Sequence, residues 1–132
     1  MSRAPYWIFR GTLARVVDGD TVDVLVDLGF RISAKMRFRV AGIDTPELEG
    51  PTRSMGQRAA DRTLRFLAGA EIEIASRGEV DKYGGRWDGD LSVGGVDLAE
   101  TLVREGWAQR YTGAGPRPLW DPAGQYPRPA AA

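Results

Sequence analysis

The residues of this chain best equipped for chemistry are charged and lie at the end of one apolar run. In Arg37-Phe38-Arg39-Val40-Ala41-Gly42-Ile43-Asp44-Thr45-Pro46-Glu47, two carboxylates follow closely on an arginine. Met36, Phe38 and Val40 alternate with Arg37, Arg39 and Ala41, so an extended chain turns the guanidinium groups to one face and the apolar groups to the other. Pro46 cannot continue a central strand and biases Thr45 away from helical geometry, which holds Asp44, Thr45 and Glu47 on a stiff turn. No histidine or cysteine occurs, which removes disulfides, thiolate metal sites, the usual general base and the usual zinc ligand. Any metal is therefore held by oxygen. Carboxylates suit a hard cation or proton transfer, and guanidinium forks suit an anion such as phosphate.

Several elements must position that turn. Residues 6–17, rich in aromatic and β-branched types, predict an opening strand with a break at Gly11, and Asp18-Gly19-Asp20-Thr21 is a tight-turn signal. Beyond it Val22, Val24, Val26 and Leu28 alternate with Asp23, Leu25 and Asp27 in the clearest strand of the chain. Asp18 reads as a turn-former whose side chain caps backbone amides, and Asp23 and Asp27 as a solvated strand face. The helix-loop-helix calcium pattern fails here, with Val22 where a ligand is needed and Gly29 where a glutamate closes the loop. Any metal partner of Asp20 thus comes from elsewhere in the chain. A turn at Gly29 leads into a third strand that ends at residue 41, completing a meander.

The second half supplies two helices and two strands. Met55, Ala59, Ala60, Leu64 and Leu67 share one face of a helix predicted over 54–68, with Gly69 placed to end it. Arg58, Arg62 and Arg65 read as its solvated face, with polynucleotide contact as the alternative. Residues 70–76 predict a fourth strand with Ile72 and Ile74 inward, 81–86 a glycine-rich loop, and 87–93 a fifth strand. Asp97 with Glu100 forms a capping-box pattern for a second helix, whose apolar stripe Leu98, Ala99, Leu102 and Val103 stops at Gly106. After Tyr111, five prolines with interleaved glycines forbid regular structure; Trp120 is the residue available to pin that segment, and 124–132 are expected as a disordered tail. The order of elements predicts an α+β, five-stranded OB-fold barrel with two helices, in a single domain over 1–123 with its core at about 10–111.

Four segments in order resemble the staphylococcal nuclease (thermonuclease) family: Val17-Asp18-Gly19-Asp20-Thr21, residues 39–47, Asp81-Lys82-Tyr83-Gly84, and Leu102-Val103-Arg104-Glu105-Gly106-Trp107-Ala108. The resemblance implies a calcium-dependent OB-fold nuclease acting on phosphodiester bonds in DNA or RNA. By the same resemblance, the metal ligands fall on Asp20, Asp44 and the carbonyl of Thr45, the water-activating glutamate on Glu47, and the phosphate-gripping arginines on Arg39 and Arg86. Lys82 and Tyr83 match positions that contact a terminal phosphate, and Tyr111 falls one residue out of register with an aromatic that packs on a base. The chain departs from the family by an extra glycine between Tyr83 and Arg86, and by the prolines that preclude the type member's third, C-terminal helix. The competing class is a catalytically inert OB module that binds nucleic acid or a protein; such modules typically lack catalytic positions that Asp20, Arg39, Asp44 and Glu47 retain here.

Composition sets outer bounds. At 132 residues, 42% hydrophobic and 27% charged, the chain has room for one globular core. Its first residues lack the apolar run of a signal peptide and nothing approaches a membrane span, so an unexported, cytoplasmic, non-membrane protein is the default expectation, and the resemblance to small OB-fold nucleases implies a monomer. Net charge is zero, which implies weak polynucleotide binding, although residues 31–65 carry eight basic groups against four acidic. The predominance of arginine over lysine suits an anionic ligand and equally follows from GC-rich coding.

Overall fold

The computed structural model describes residues 7–80 and 85–129. Three antiparallel strands open it: β1 (Trp7–Asp18), β2 (Thr21–Asp27) and β3 (Ser33–Val40). There follow β4 (Ile43–Asp44), a 3-10 turn (Gly50–Thr52), α1 (Arg53–Leu67), β5 (Ile72–Val80), β6 (Trp87–Val93), β7 (Val96–Asp97), α2 (Leu98–Glu105) and β8 (Gln109–Arg110). The main sheet runs β3-β2-β1-β5-β6-β7, and β6 pairs again with β3, in parallel, at Phe38↔Trp87, Arg39↔Asp88 and Val40↔Gly89. That second pairing closes five strands into the expected barrel. None of the described helices is long and apolar enough to cross a membrane.

Alternation along the strands fills the barrel. Val22, Val24 and Val26 from β2, Phe38 and Val40 from β3, Ile72 and Ile74 from β5 and Leu91 from β6 are all at most 2% exposed. Leu67 of α1 and Leu98 and Leu102 of α2 join the same core. Asp97 caps α2 by accepting the Glu100 N–H at 2.9 Å, but the reciprocal half of the capping box is missing. The Glu100 carboxylate binds both Nη atoms of Arg110 instead, at 2.9 and 3.0 Å.

Other expectations need correction. β1 does not break at Gly11; a Cβ there would stand 2.5 Å from Leu25 O, so glycine serves the close approach of β2, and the irregularities fall at Leu13/Arg15 and Val16/Asp18. Asp23 is not solvated, because Arg37 lies directly across the β2–β3 ladder and donates Nε and Nη2 to its two oxygens at 2.8 and 3.2 Å. Asp27 is exposed and accepts the Gly29 N–H at 2.8 Å, which shapes the following turn.

Helix α1 buries Met55, Gly56, Ala59, Thr63 and Leu67 while Leu64 stays 43% exposed, so its inward face is rotated toward small residues. Of the arginine row on α1, Arg58 and Arg62 reach other parts of the chain, while Arg65, its side chain 61% exposed, stays on the solvated face as expected. Arg62 clasps Glu105 at 2.7 and 3.1 Å, Arg65 lies 3.5 Å from Asp61, and Arg58 Nη1 donates to Tyr126 O at 2.7 Å. Residues 124–129 are anchored where a disordered tail was expected. Tyr126 is buried against Met55 and Ala59, meets Trp107 and Trp120 edge-on, and donates its hydroxyl to Trp107 O at 2.7 Å.

Candidate active site

Two turns and one helix converge to make the site. In the β1–β2 turn, Asp18 Oδ1 accepts the Asp20 N–H at 3.1 Å, the capping role its sequence context predicts. Asp20 O accepts the Val40 N–H at 2.8 Å, and the Thr63 hydroxyl of α1 donates to Gly19 O at 2.7 Å, so the turn is tied to both β3 and the helix. Beyond β3, the chain reverses into β4, which pairs with β8 and carries Asp44. Thr45 N–H then donates to Asp20 Oδ2 at 3.2 Å, joining the second turn to the carboxylate of the first. Pro46 and Glu47 pass over α1 at Gly56, where a Cβ would stand 2.7 Å from the Glu47 carbonyl carbon and 2.9 Å from Pro46 O. The absent side chain lets the turn rest directly on the helix.

The carboxylates occupy different environments. Asp20 is 6% exposed; its Oδ1 accepts the Thr21 hydroxyl at 3.2 Å and its Oδ2 lies 3.3 Å from Arg39 Nη1. Burial first, and then the Asp18 side chain, push the Asp20 carboxyl up to about 7, against the opposing pull of Arg39 and the Thr45 N–H. Arg39 Nη1 also donates to Val40 O at 3.1 Å. Asp44 is 1% exposed, and Arg117 donates Nε and Nη2 to its Oδ1 at 3.1 and 2.8 Å. Trp120 Nε1 donates to Asp44 Oδ2 at 2.9 Å. Arg117 Nη1 also donates to Oε1 of Glu47, whose side chain is more than half exposed. Glu47 and Asp44 together hold the Arg117 guanidinium more firmly protonated than usual.

Arg117 is the site residue that sequence reasoning missed. It sits among prolines, where no periodicity marks a functional face, and the only signal was the neighbouring Trp120, read as a pin for the segment. The pin holds, through Asp44 and Tyr126. Arg86 is half-buried and immediately precedes β6, whose first residues pair with Phe38 and Arg39 of β3. Lys82 and Tyr83 lie outside the described residues. Tyr111, just past β8, donates its N–H to Gly42 O at 2.9 Å and its hydroxyl to Gly115 O at 2.8 Å.

The donors suit a hard cation in kind: two buried carboxylates on two turns, the second turn tied to the Asp20 carboxylate by the Thr45 N–H. Among the described residues no group of three or more His, Cys, Asp or Glu converges to hold a metal. At Asp44 a positive charge is already in place, supplied by Arg117.

The family model described as staphylococcal nuclease homologue matches residues 37–121, and the chain belongs to that family. The match takes in Arg39, Asp44, Glu47 and Arg86 together with Arg117 and Trp120, and begins after Asp20. The micrococcal nuclease of Shigella flexneri is 35% identical over 120 residues, covering 83% of this chain and 64% of that protein. Endonuclease YncB of Bacillus subtilis (strain 168) is 31% identical over 103 residues, 74% of this chain and 46% of its own length. A probable staphylococcal-like nuclease, CAN1, of Oryza sativa subsp. japonica is 30% identical over 105 residues, 72% of this chain and 30% of its own. The chain spans less than two thirds of the length of each of these relatives.

Proposed function

We propose that this chain is a divalent-cation-dependent nuclease that hydrolyses phosphodiester bonds in DNA or RNA with little sequence preference, acting as a monomer. The observation that carries the reading is the bond from the Thr45 N–H, next to the buried Asp44, to the buried Asp20 carboxylate, with Arg39 against Asp20, in a chain whose relatives include named nucleases.

Asp20, Asp44 and the carbonyl of Thr45 would hold the cation, calcium by family resemblance. Such an ion, when bound, supplies positive charge to a phosphoryl oxygen and orients water. Glu47 is the most exposed of the three carboxylates and is free to take the water's proton once Arg117 leaves it. Arg39, held through its Nη1 by Asp20 and Val40 O, would turn the rest of its planar guanidinium to the non-bridging oxygens as charge develops on them. Arg86, immediately before the strand that pairs with Phe38, Arg39 and Val40, would be the second such fork.

The test is cleavage of single-stranded DNA with calcium and then with chelator, beside Glu47→Gln. Calcium-dependent cleavage lost in the variant supports both the activity and the base. Binding without cleavage transfers the reading to an inert nucleic-acid-binding OB module.

A further inference from the structure

The central carboxylates are answered by a cation that the chain itself supplies. Both oxygens of Asp44 are engaged, Oδ1 by two nitrogens of Arg117 and Oδ2 by the indole of Trp120. The same guanidinium reaches Glu47. The segment that brings these groups is anchored at both ends. Before them, Tyr111 bonds Gly42 O; between them, Leu119 O accepts from Gln109 Nε2 at 2.8 Å; after them, Tyr126 is buried under Trp107. Between the anchors, the Arg117 side chain is 48% exposed and Leu119 is 93% exposed. Arg117 is thus held over the site by charge and hydrogen bonds, and Trp120 by its indole bond and its edge-on contact with Tyr126.

We propose that Arg117 and Trp120 form a latch that competes with a divalent cation for Asp44, so that the closed latch and the bound cation exclude one another. The proposal rests on the reading of Asp44 as a cation ligand. An ion and the Arg117 fork require the same lone pairs of Oδ1, and two positive centres on one buried carboxylate repel. Binding the ion means first breaking two charge-assisted hydrogen bonds, together with the indole bond wherever the ion also needs Oδ2. Apparent affinity is then reduced by the fraction of molecules with the latch open, and by linkage the ion must open the latch as strongly as the latch weakens the ion. Opening also frees Glu47 from Arg117, which couples ion binding to release of the proposed base.

The experiment is calcium titration by calorimetry on the ion-stripped chain, with Arg117→Gln, Trp120→Phe and Asp44→Asn alongside and circular dichroism confirming that each is folded. Arg117→Gln is expected to bind calcium roughly 10- to 100-fold more tightly than the parent. Trp120→Phe should show a smaller gain, and Asp44→Asn no binding. In the parent, calcium should also change a component of tryptophan emission that Trp120→Phe lacks. Equal or weaker binding in Arg117→Gln, with binding lost in Asp44→Asn, overturns the latch and leaves the cation site standing. Calcium binding absent from both the parent and Arg117→Gln overturns latch and cation site together.

Discussion

Replacing Asp20 with asparagine is expected to stabilise the ion-free protein at about pH 8 and to change it little at about pH 4, where the carboxyl is protonated in the fold. The folded carboxyl titrates at about 7 instead of 3.8, chiefly because it is buried. A raised value in the fold means that the contribution of this group to stability is complete below about pH 4 and is lost as pH rises through about 7. Three pH units correspond to about 4 kcal/mol at full ionisation, and relaxation around a buried charge brings the expected gain to about 2–4 kcal/mol. Asparagine keeps the shape: its oxygen can still accept the Thr45 N–H, and its amide can donate to Asp18. The lost attraction to Arg39 is already contained in the net displacement. With an unfolding entropy of about 0.3 kcal/mol per degree for a chain of this size, Tm should rise by about 7–13 °C at the higher pH. Thermal and urea unfolding in chelator, at both pH values, reads the effect. An equal gain at the two pH values, or none at the higher, would refute the argument, because only a charge that appears with pH can produce the difference.

Arg39→Lys should lose most hydrolysis while keeping the fold, since lysine retains charge but not the fork; near-parental turnover would remove bidentate phosphate contact from the mechanism. Gly56→Ala should cost about 1–3 kcal/mol in urea unfolding, because the new methyl group meets the backbone of Pro46 and Glu47, and a neutral result would mean that the turn can lift from α1 without penalty. Tyr126→Phe should cost about 1–2 kcal/mol by orphaning Trp107 O, whereas unchanged stability would return residues 124–129 to the status of a free tail. Arg62→Gln should cost about 1 kcal/mol near neutral pH, allowing for the partial exposure of the Glu105 pair. Arg62 lowers the Glu105 titration, so this contribution is present above the ordinary glutamate range and fades as pH falls through the lowered value; a difference that persists in strong acid would assign the effect to packing.

What could be read from the sequence followed from local pattern. Alternation in Val22, Val24, Val26 and in Met36, Phe38, Val40 located two strands and their inner faces, and Asp97 located the start of α2. The turns carrying Asp20 and Asp44 were legible because glycine, aspartate and proline leave few backbone choices. Long-range pairing was not legible. Asp23 looks like any aspartate on a strand face until the register sets Arg37 opposite it, and Arg58 and Arg62 of α1 look solvated until α2 and Tyr126 arrive. The segment after Tyr111 gave correct negative information, that it forms no helix, and no hint of where it goes. Its course is fixed by Trp120 and Tyr126, single aromatics whose partners lie more than sixty residues earlier and on α2's far side at Trp107.

The two buried aspartates differ in where their donors come from, and that difference locates control of the site. Asp20 is held by Thr21, Thr45 and Arg39, which lie in or beside the barrel and belong to other parts of the chain than the distal segment. Asp44 takes its donors from one segment, Arg117 and Trp120. A buried carboxylate without partners is costly, so the docked segment compensates the Asp44 charge that the proposed cation would use and at the same time covers it. Removing Arg117 therefore has two opposing effects, exposing Asp44 to an ion and leaving it uncompensated without one. The ion-free variant should be the less stable form and the ion-loaded variant should recover that loss, so calcium should raise its Tm by more than it raises the parent's. Equal calcium-induced shifts in the two would mean that Arg117 and the ion do not share Asp44.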